Sequence, residues 1–261
     1  MVFAFPSGLN QELFPLAWLV GEWEGEGQIS YHEQVPTARA WNHIKFSHDG
    51  GSYLKYESTI RIIGEGEAPI PGPVLPVEPI GASYATGHSA QPFEFEAPSD
   101  DGANPSVERP RDTSRVVETT DDATPSVEES EARLETTAEG VAPHDGEVWS
   151  SETGYWRINP LPHGSGKDNE FYLDIFIVDA GGRMTFFNGE ATPGRIELAS
   201  AKMVRAALAA EVNGSKRMYG YINDHLAWAE DLVAFGHDLG SYASFFLHRT
   251  VDGDGNPVTG G

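Results

Sequence analysis

A stretch of strict alternation near the start of the chain constrains the fold most. In "GEWEGEGQISYH", residues 21–32, one parity carries small, aromatic and aliphatic side chains, and the other carries mostly charged or polar ones. Successive side chains of a β-strand point to opposite faces, so this pattern predicts a strand with one face in a core and the other in water. Glycines are poor strand formers, and those at 25 and 27 predict a bend or a close approach of another backbone.

Further strand-like segments follow along the chain. They lie at 38–48, 52–63, 148–158, 170–178, 183–191, 195–204, 216–222, 226–234 and 241–250. Turn sequences such as "DAGG", "VNGSK" and "IND" join many of them. The only predicted helix is a short one around "NQELFPLAWLV", with Asn10 as a candidate cap. We therefore predict an all-β fold, an antiparallel up-and-down β-barrel of about ten strands, with a sandwich as the alternative. A barrel of that width encloses a ligand cavity.

The composition changes sharply after Ile63. Residues 64–147 contain 19 acidic and 4 basic residues and 11 of the 18 prolines. Such a segment cannot bury enough apolar surface to offset the entropy of ordering, so we predict a disordered, acidic, Pro-rich insertion. It is either an acidic tether for partners or a surface loop of small energetic cost. Residues 1–63 and 148–261 then form a single β-barrel domain.

Charge and residue content exclude several functions. The chain has 40 acidic and 17 basic residues, and its net charge of −23 disfavours binding to nucleic acid or to an anionic membrane. It has no cysteine, which excludes disulfides and thiolate metal sites and suits a reducing cytoplasm. Its start lacks the basic region and cleavage site of a secretory signal, and no apolar run approaches the roughly 20 residues of a membrane span. We expect a cytoplasmic protein with no nucleic-acid or membrane partner. A homodimer is compatible with the sequence, which does not determine the oligomeric state.

Three motifs, in order, resemble one family, the nitrobindins. "PLAWLVGEWEGEG" contains their Gly-x-Trp-x-Gly-x-Gly signature. Its residues here are Gly21, Glu22, Trp23, Glu24, Gly25, Glu26 and Gly27. "SSETGYWR" at 150–157 is similar to their central strand, and "GHDLGSYASFFLHR" is similar to their closing segment. The resemblance spans about 20–63 and 148–250, whereas a Gly-x-Trp near the first strand is also found in lipocalins and fatty-acid-binding proteins.

The resemblance implies a ten-stranded antiparallel barrel that holds ferric haem b at its mouth. In the family, one histidine of the closing segment binds the iron, and members with that histidine are linked to isomerisation of peroxynitrite into nitrate. Alignment of the Leu-His-Arg endings puts His248 on the family's second histidine, and Tyr242 on the position of the iron ligand. A further haem-side histidine of the family falls on Ser150. The resemblance therefore implies a degenerate haem site that lacks the axial histidine.

Tyr242 and His237 are the alternatives for a rescue ligand. A phenol with a pKa near 10 must lose its proton to bind ferric iron, so we interpret Tyr242 as a packed or cavity-lining side chain, with iron ligation as the alternative. His237 lies in the predicted loop "FGHDLGS", from which it could approach the iron. His248 is interpreted as a histidine of the last strand and not as a ligand.

The main hypothesis is a ferric nitrobindin-like binding protein with no catalytic residue and no metal site, and with a haem-like or other small molecule in its cavity. One alternative is a haem-dependent peroxynitrite isomerase with Tyr242 or His237 as rescue ligand. Another is a lipocalin-like or fatty-acid-binding-like carrier of an apolar ligand. Trp23 is expected to plug the closed end of the barrel. Glu230 and Asp231 are adjacent on a strand, so we expect one inward and one solvated acid and no acid/base pair.

Overall fold

The protein is an all-β barrel. The computed structural model describes residues 5–66, 68, 142–160 and 170–258. Ten antiparallel strands close on themselves, with β1 paired to both β2 and β10. The strands are β1 (Gly21–Tyr31), β2 (Val35–Ser47), β3 (Leu54–Glu65), β4 (Glu147–Ile158), β5 (Phe171–Asp179), β6 (Arg183–Thr192), β7 (Arg195–Arg205), β8 (Val212–Ile222), β9 (His225–Ala234) and β10 (Gly240–Val251). The predicted fold class is confirmed, and the barrel, not the sandwich, is the architecture.

Most of the predicted insertion at 64–147 lies outside the described residues. On its N-terminal side, β3 continues through Gly64 to Glu65. On its C-terminal side, a short 3₁₀ helix (Pro143–Asp145) leads into β4 at Glu147. The division of the chain into one barrel domain and one insertion stays a prediction.

The alternation of β1 decides which side chains face the barrel interior. Every odd position from Gly21 to Tyr31 is buried, and every even position is partly exposed. The two central residues of the β8–β9 turn, Asn223 and Asp224, have φ values of 49° and 65°. Positive φ at both positions suits the twist of a two-residue hairpin, and Asn and Asp tolerate it better than most residues. The alternation of side chains therefore decides which of them face inward, and tight turns fix the register between neighbouring strands.

A 3₁₀ helix (Gln11–Leu19) lies at one end of the barrel. Asn10 caps it as predicted, because its side chain accepts a hydrogen bond from the Glu12 amide at 3.0 Å. Its buried residues, which join the main core, are Leu13, Leu16, Ala17, Trp18 and Leu19. The other end of the barrel is the end at which β4 and β10 begin. No helix in the described ranges is long and apolar enough to span a bilayer.

Candidate ligand-binding site

Two β-bulges place aromatic side chains over the end of the barrel opposite the helix. In the pairing of β3 with β4, Ile60 faces Ser150 and Arg61 faces Val148, so Trp149 is the extra residue. In the pairing of β9 with β10, Tyr242 is likewise an extra residue with no partner opposite it in the ladder. A bulge leaves its extra residue out of the ladder and re-aims the side chain.

The two bulge residues meet across the barrel. The Trp149 indole N–H donates to the Tyr242 phenol oxygen at 2.6 Å. β4 and β10 are four strands apart on the shorter path around the barrel, so this hydrogen bond spans the end of the barrel opposite the helix. Tyr242 packs against the core while Trp149 stays 43% exposed. The pair therefore forms a polar bridge at the mouth, with one ring open to solvent.

Below this bridge, a buried cation joins two strands across the interior. Arg217 of β8 donates from both terminal nitrogens to the two carboxylate oxygens of Glu152 on β4, each at 2.7 Å. Its Nε also lies 3.1 Å from Oε1 of Glu230 on β9. The side chain of Arg217 is 3% exposed, that of Glu152 is 10% exposed and that of Glu230 is 3% exposed. Buried charges of this kind persist only where they are paired and hydrogen-bonded.

Neighbouring side chains extend this cluster. The Ser215 hydroxyl donates to Oε1 of Glu230 at 2.6 Å, and the Tyr56 hydroxyl donates to Glu152 at 3.2 Å. Arg183 lies 2.8 Å from Asp179 and 3.9 Å from Glu152. We call the set formed by Glu152, Asp179, Arg183, Arg217 and Glu230 the interior charge cluster.

The pKa values reflect both burial and pairing. Burial raises the pKa of Glu152, but attraction to Arg217 and hydrogen bonds from its guanidinium outweigh burial and hold the pKa below the ordinary 4.5. Burial lowers the pKa of Arg217, and the carboxylates of Glu152 and Glu230 reverse this and raise it well above its usual range. The pair is therefore ionised at neutral pH.

Tyr242 is held as a neutral phenol. Burial raises the pKa of Tyr242 to about 12, and the negative charges of Glu230 and Glu152 act in the same direction. The hydrogen bond from Trp149 acts against this rise. At neutral pH the side chain consequently offers a hydroxyl and not a phenolate.

The described histidines lie away from the inward strand positions. His43, His225 and His248 occupy positions of β2, β9 and β10 whose neighbours in sequence are the buried ones. The others lie beyond strand ends, and they are His32, His48, His144 and His237. Among residues 5–66, 68, 142–160 and 170–258, no histidine therefore occupies an inward-facing position on the barrel wall.

The histidines that the sequence singled out have partners of their own. His237 lies in the β9–β10 connection and stacks on His32, with ring centroids 4.0 Å apart and an angle of 13° between the rings. His248 is exposed and faces His225 on β9 and Glu24 on β1. Ser150 occupies an inward-facing position of β4 and faces Ile60.

The Gly-x-Trp-x-Gly-x-Gly segment closes the other end. Trp23 is fully buried, its indole donates to the Leu19 carbonyl at 2.8 Å, and the Arg249 guanidinium lies 4.0 Å from its ring centre. A Cβ on Gly25 would lie 2.3 Å from the Phe246 carbonyl oxygen, and one on Gly27 would lie 2.1 Å from that of Ser244. These glycines let β10 approach closely.

The glutamates of that segment face outward. Glu22 pairs with Lys45 at 2.7 Å, and Glu26 pairs with Arg39 at 2.9 Å. Glu24 lies 4.0 Å from His43. They belong to the solvated surface and not to the barrel interior.

Sequence reasoning did not find the interior charge cluster. Glu152 lies within "SSETGYWR" and Arg217 within the predicted strand 216–222, but no prediction from the sequence assigns either of them an inward charge. The signal was present, because Glu152 shares its strand parity with buried Trp156, and Arg217 shares its parity with buried Tyr219. The inward position of Glu230 and the partly solvated position of Asp231 agree with the expectation for adjacent strand residues.

A closed barrel with paired charges on its inner wall and two aromatic side chains bridging one end belongs to the class of small-molecule-binding β-barrels. Within that class, residues 12–249 match the family described as "THAP4-like, heme-binding beta-barrel domain", and the chain belongs to this family. The resemblance to the nitrobindins is thereby confirmed.

Curated relatives agree with this family. The chain is 31% identical to a "Ferric nitrobindin-like protein" of Beutenbergia cavernae, over 95% of this chain and 99% of the relative. It is 28% identical to a "Peroxynitrite isomerase" of Leifsonia xyli subsp. xyli, over 94% of this chain and 97% of that protein. Among solved structures, the crystal structure of Rv2717c from M. tuberculosis matches with a TM-score of 0.52 and 18% identity, over 92% of this chain and 98% of that one. This last likeness concerns the fold alone.

Proposed function

We propose that this chain is a ferric nitrobindin-like binding protein that holds a small molecule at the open end of its barrel without a histidine bond to haem iron. The family supports a small-molecule ligand in the cavity. The proposed lack of a histidine ligand for iron is argued from the residues of this chain and not from the family.

The carrying observation is the position of the histidines. A haem of this family would need one imidazole aimed into the barrel. Among the described residues no histidine lies on an inward strand position, and His237, at the mouth end, is stacked on His32. The resemblance of the Leu-His-Arg ending to that of the family implies that Tyr242 lies at the position of that imidazole. These positions support the proposal that no histidine binds haem iron in this chain.

Tyr242 is a poor substitute for the missing imidazole. A phenol binds ferric iron as phenolate, and usually a nearby cation assists its deprotonation. Here burial and two carboxylates raise the pKa of Tyr242 to about 12 and outweigh the opposing effects of the Trp149 hydrogen bond and of Arg183. The phenol is therefore better suited to hydrogen bonding with a ligand than to iron.

The isomerase alternative has two specific supports. Curated relatives are named peroxynitrite isomerase, and Tyr242 lies at the mouth of the barrel. His237, the second rescue ligand, lies at the mouth end in the β9–β10 connection, but it would have to give up its stacking on His32 to point into the barrel. Because of these two supports, we rank the isomerase alternative above the carrier, and because of the stacking of His237, we rank it below the main proposal.

The carrier alternative ranks third. A fatty-acid carboxylate needs a free cation, and Arg217 already contacts the carboxylates of Glu152 and Glu230. An acyl chain would also have to lie against buried charges, which is unfavourable.

We also propose that two copies associate through the outer face of β4 to β7. Two cross-strand rows there carry exposed apolar side chains, with Val204 66% exposed and Met184 56% exposed. The rows consist of Tyr155, Phe176 and the half-buried Phe186, and of Val178, Met184 and Val204. None of these six side chains is charged, so their contact would itself add no like-charge repulsion between copies with a net charge of −23. A large exposed apolar patch commonly marks an interaction site.

The cysteine-free chain fits a reducing cytoplasm, where we place this protein.

Titration of the purified full-length chain with ferric haem tests the proposed function. We expect no saturable, one-to-one shift of the Soret band, because the part of the chain that the structure describes offers no inward imidazole. A saturable shift that is lost in His237→Ala or in Tyr242→Phe would identify a rescue ligand, and peroxynitrite decay faster than with free haem would then establish the isomerase alternative. A fluorescent fatty acid that binds with one-to-one stoichiometry and is not displaced by haem would support the carrier.

A further inference from the structure

We infer that the open end of the barrel selects a small organic cation, an ammonium, amidinium or protonated heterocycle, and that Glu230 is the residue that recognises it. This inference rests on the proposed function, since it names the chemical class of the ligand for the same site.

The first argument is charge. The interior charge cluster contains three carboxylates and two guanidinium groups, a formal net charge of −1. An unbalanced negative charge in a water-poor interior attracts a cation more strongly than the same charge does at the surface. An anionic ligand would meet repulsion at the same place.

The second argument is an available acceptor. Both contacts of Glu230, from Ser215 and from Arg217, involve Oε1. Within the described part of the chain, Oε2 of Glu230 accepts no hydrogen bond, although the side chain is only 3% exposed. Oε2 is also not among the fully enclosed polar atoms that lack a partner. A buried carboxylate oxygen that keeps some accessible surface is placed to accept a hydrogen bond from a ligand, which would satisfy it.

The third argument is the position of Glu230 beneath the mouth. Its partner across the β9–β10 ladder is Ala243, the residue after the Tyr242 bulge. Glu230 also contributes to the raised pKa of Tyr242, which is consistent with its carboxylate facing that ring. Trp149 and Tyr242 therefore offer aromatic surface on the mouth side of the same acceptor, and aromatic faces attract cations.

The ligand is better described as an organic cation than as a metal ion. Among the described residues, no group of three or more His, Asp or Glu side chains could hold a metal. Glu152 already directs both of its oxygens at Arg217. One free carboxylate oxygen beneath aromatic rings suits a ligand that has a single N–H donor and is otherwise apolar.

Two fluorescent probes with the same ring system test this inference. At neutral pH, 9-aminoacridine is a planar monocation and acridine is uncharged. We expect the full-length wild-type chain to bind 9-aminoacridine at least about tenfold more tightly than acridine. Glu230→Gln, which keeps the shape of the side chain, should remove most of that preference. Asp231→Asn changes the net charge by the same amount on the neighbouring, outward-facing residue, and it should alter the affinity less than about twofold.

The outcomes separate this inference from the proposed function. Equal affinity for the two probes, or an equal loss in Glu230→Gln and Asp231→Asn, would overturn the cation preference and leave the proposed function to the haem titration. Binding of neither probe would also overturn it. The comparison of the two probes on the wild-type chain requires no variant, so the inference can fail even if Glu230→Gln does not fold.

Discussion

Arg217 and Glu152 form a two-point ion pair inside the barrel, joining β8 to β4 with two hydrogen bonds of 2.7 Å. The two residues are 65 positions apart in the chain. Removing Glu152 takes from Arg217 its two-point partner and leaves it only the contact with Glu230, and loss of one partner of a buried pair costs about 3–5 kcal/mol. We expect Glu152→Gln to lower the free energy of unfolding by about this amount in chemical denaturation at neutral pH. The control is Glu197→Gln, which breaks the more exposed pair with Arg195 and should cost less than about 1 kcal/mol.

The same pair predicts a pH dependence with a definite sign. Because the folded-state pKa of Glu152 lies below its ordinary 4.5, its contribution is fully present above that value and is lost as the pH falls through the lower folded value. The stability difference between wild type and Glu152→Gln should therefore be constant near neutral pH and should shrink in acid. A difference that grows as the pH falls below about 4.5 would contradict the assignment.

The bridge between Trp149 and Tyr242 has a spectroscopic signature. The chain has six tryptophans, so six indole N–H signals are expected in a ¹H–¹⁵N spectrum. We expect Tyr242→Phe to move the signal of Trp149 upfield, since its indole loses a 2.6 Å hydrogen bond. Assignment follows from the signal that disappears in Trp149→Phe. If the Trp149 signal stays in place in Tyr242→Phe, the bridge does not exist in solution.

Trp23 should be the most costly tryptophan to remove at the closed end. Its side chain is fully buried between the helix and Arg249, so Trp23→Ala should cost about 3–5 kcal/mol. Trp149→Ala, at a partly exposed position, should cost about 1 kcal/mol. Thermal and chemical denaturation measure both variants. Similar losses in the two variants would refute the role of Trp23 as a plug.

Light scattering during size-exclusion chromatography tests the outer apolar face. We expect wild type to elute as a dimer, and Met184→Glu to elute as a monomer, because a charge within the rows would be buried against its own copy. Leu208→Glu is the matched control, because Leu208 is fully exposed in the β7–β8 connection and outside those rows. A wild-type monomer at every concentration, or dissociation of the control as well, would rule out this interface.

Local sequence pattern was sufficient for the strands but not for the interior. The alternation of residues 21–32 determines the faces of β1, and "IND" provides a turn that fits a two-residue hairpin. The Glu152–Arg217 pair depends on which strands lie opposite each other in the closed barrel, and a single sequence does not specify that. The bulges at Trp149 and Tyr242 depend on the register between strands, which has no signature of its own in either segment. The strands that form the walls of the site can therefore be predicted from the local sequence pattern, whereas the site itself is formed only when the barrel closes.

The most direct test of the proposed function restores the missing imidazole. Wild type and Tyr242→His are titrated with ferric haem, with Ser241→His as a control that places the same ring on the exposed neighbouring position. We expect Tyr242→His alone to give a saturable, one-to-one Soret band and an electron paramagnetic resonance spectrum of nitrogen-ligated ferric haem. Nitrogen-ligated, one-to-one haem in the wild-type chain would contradict the account.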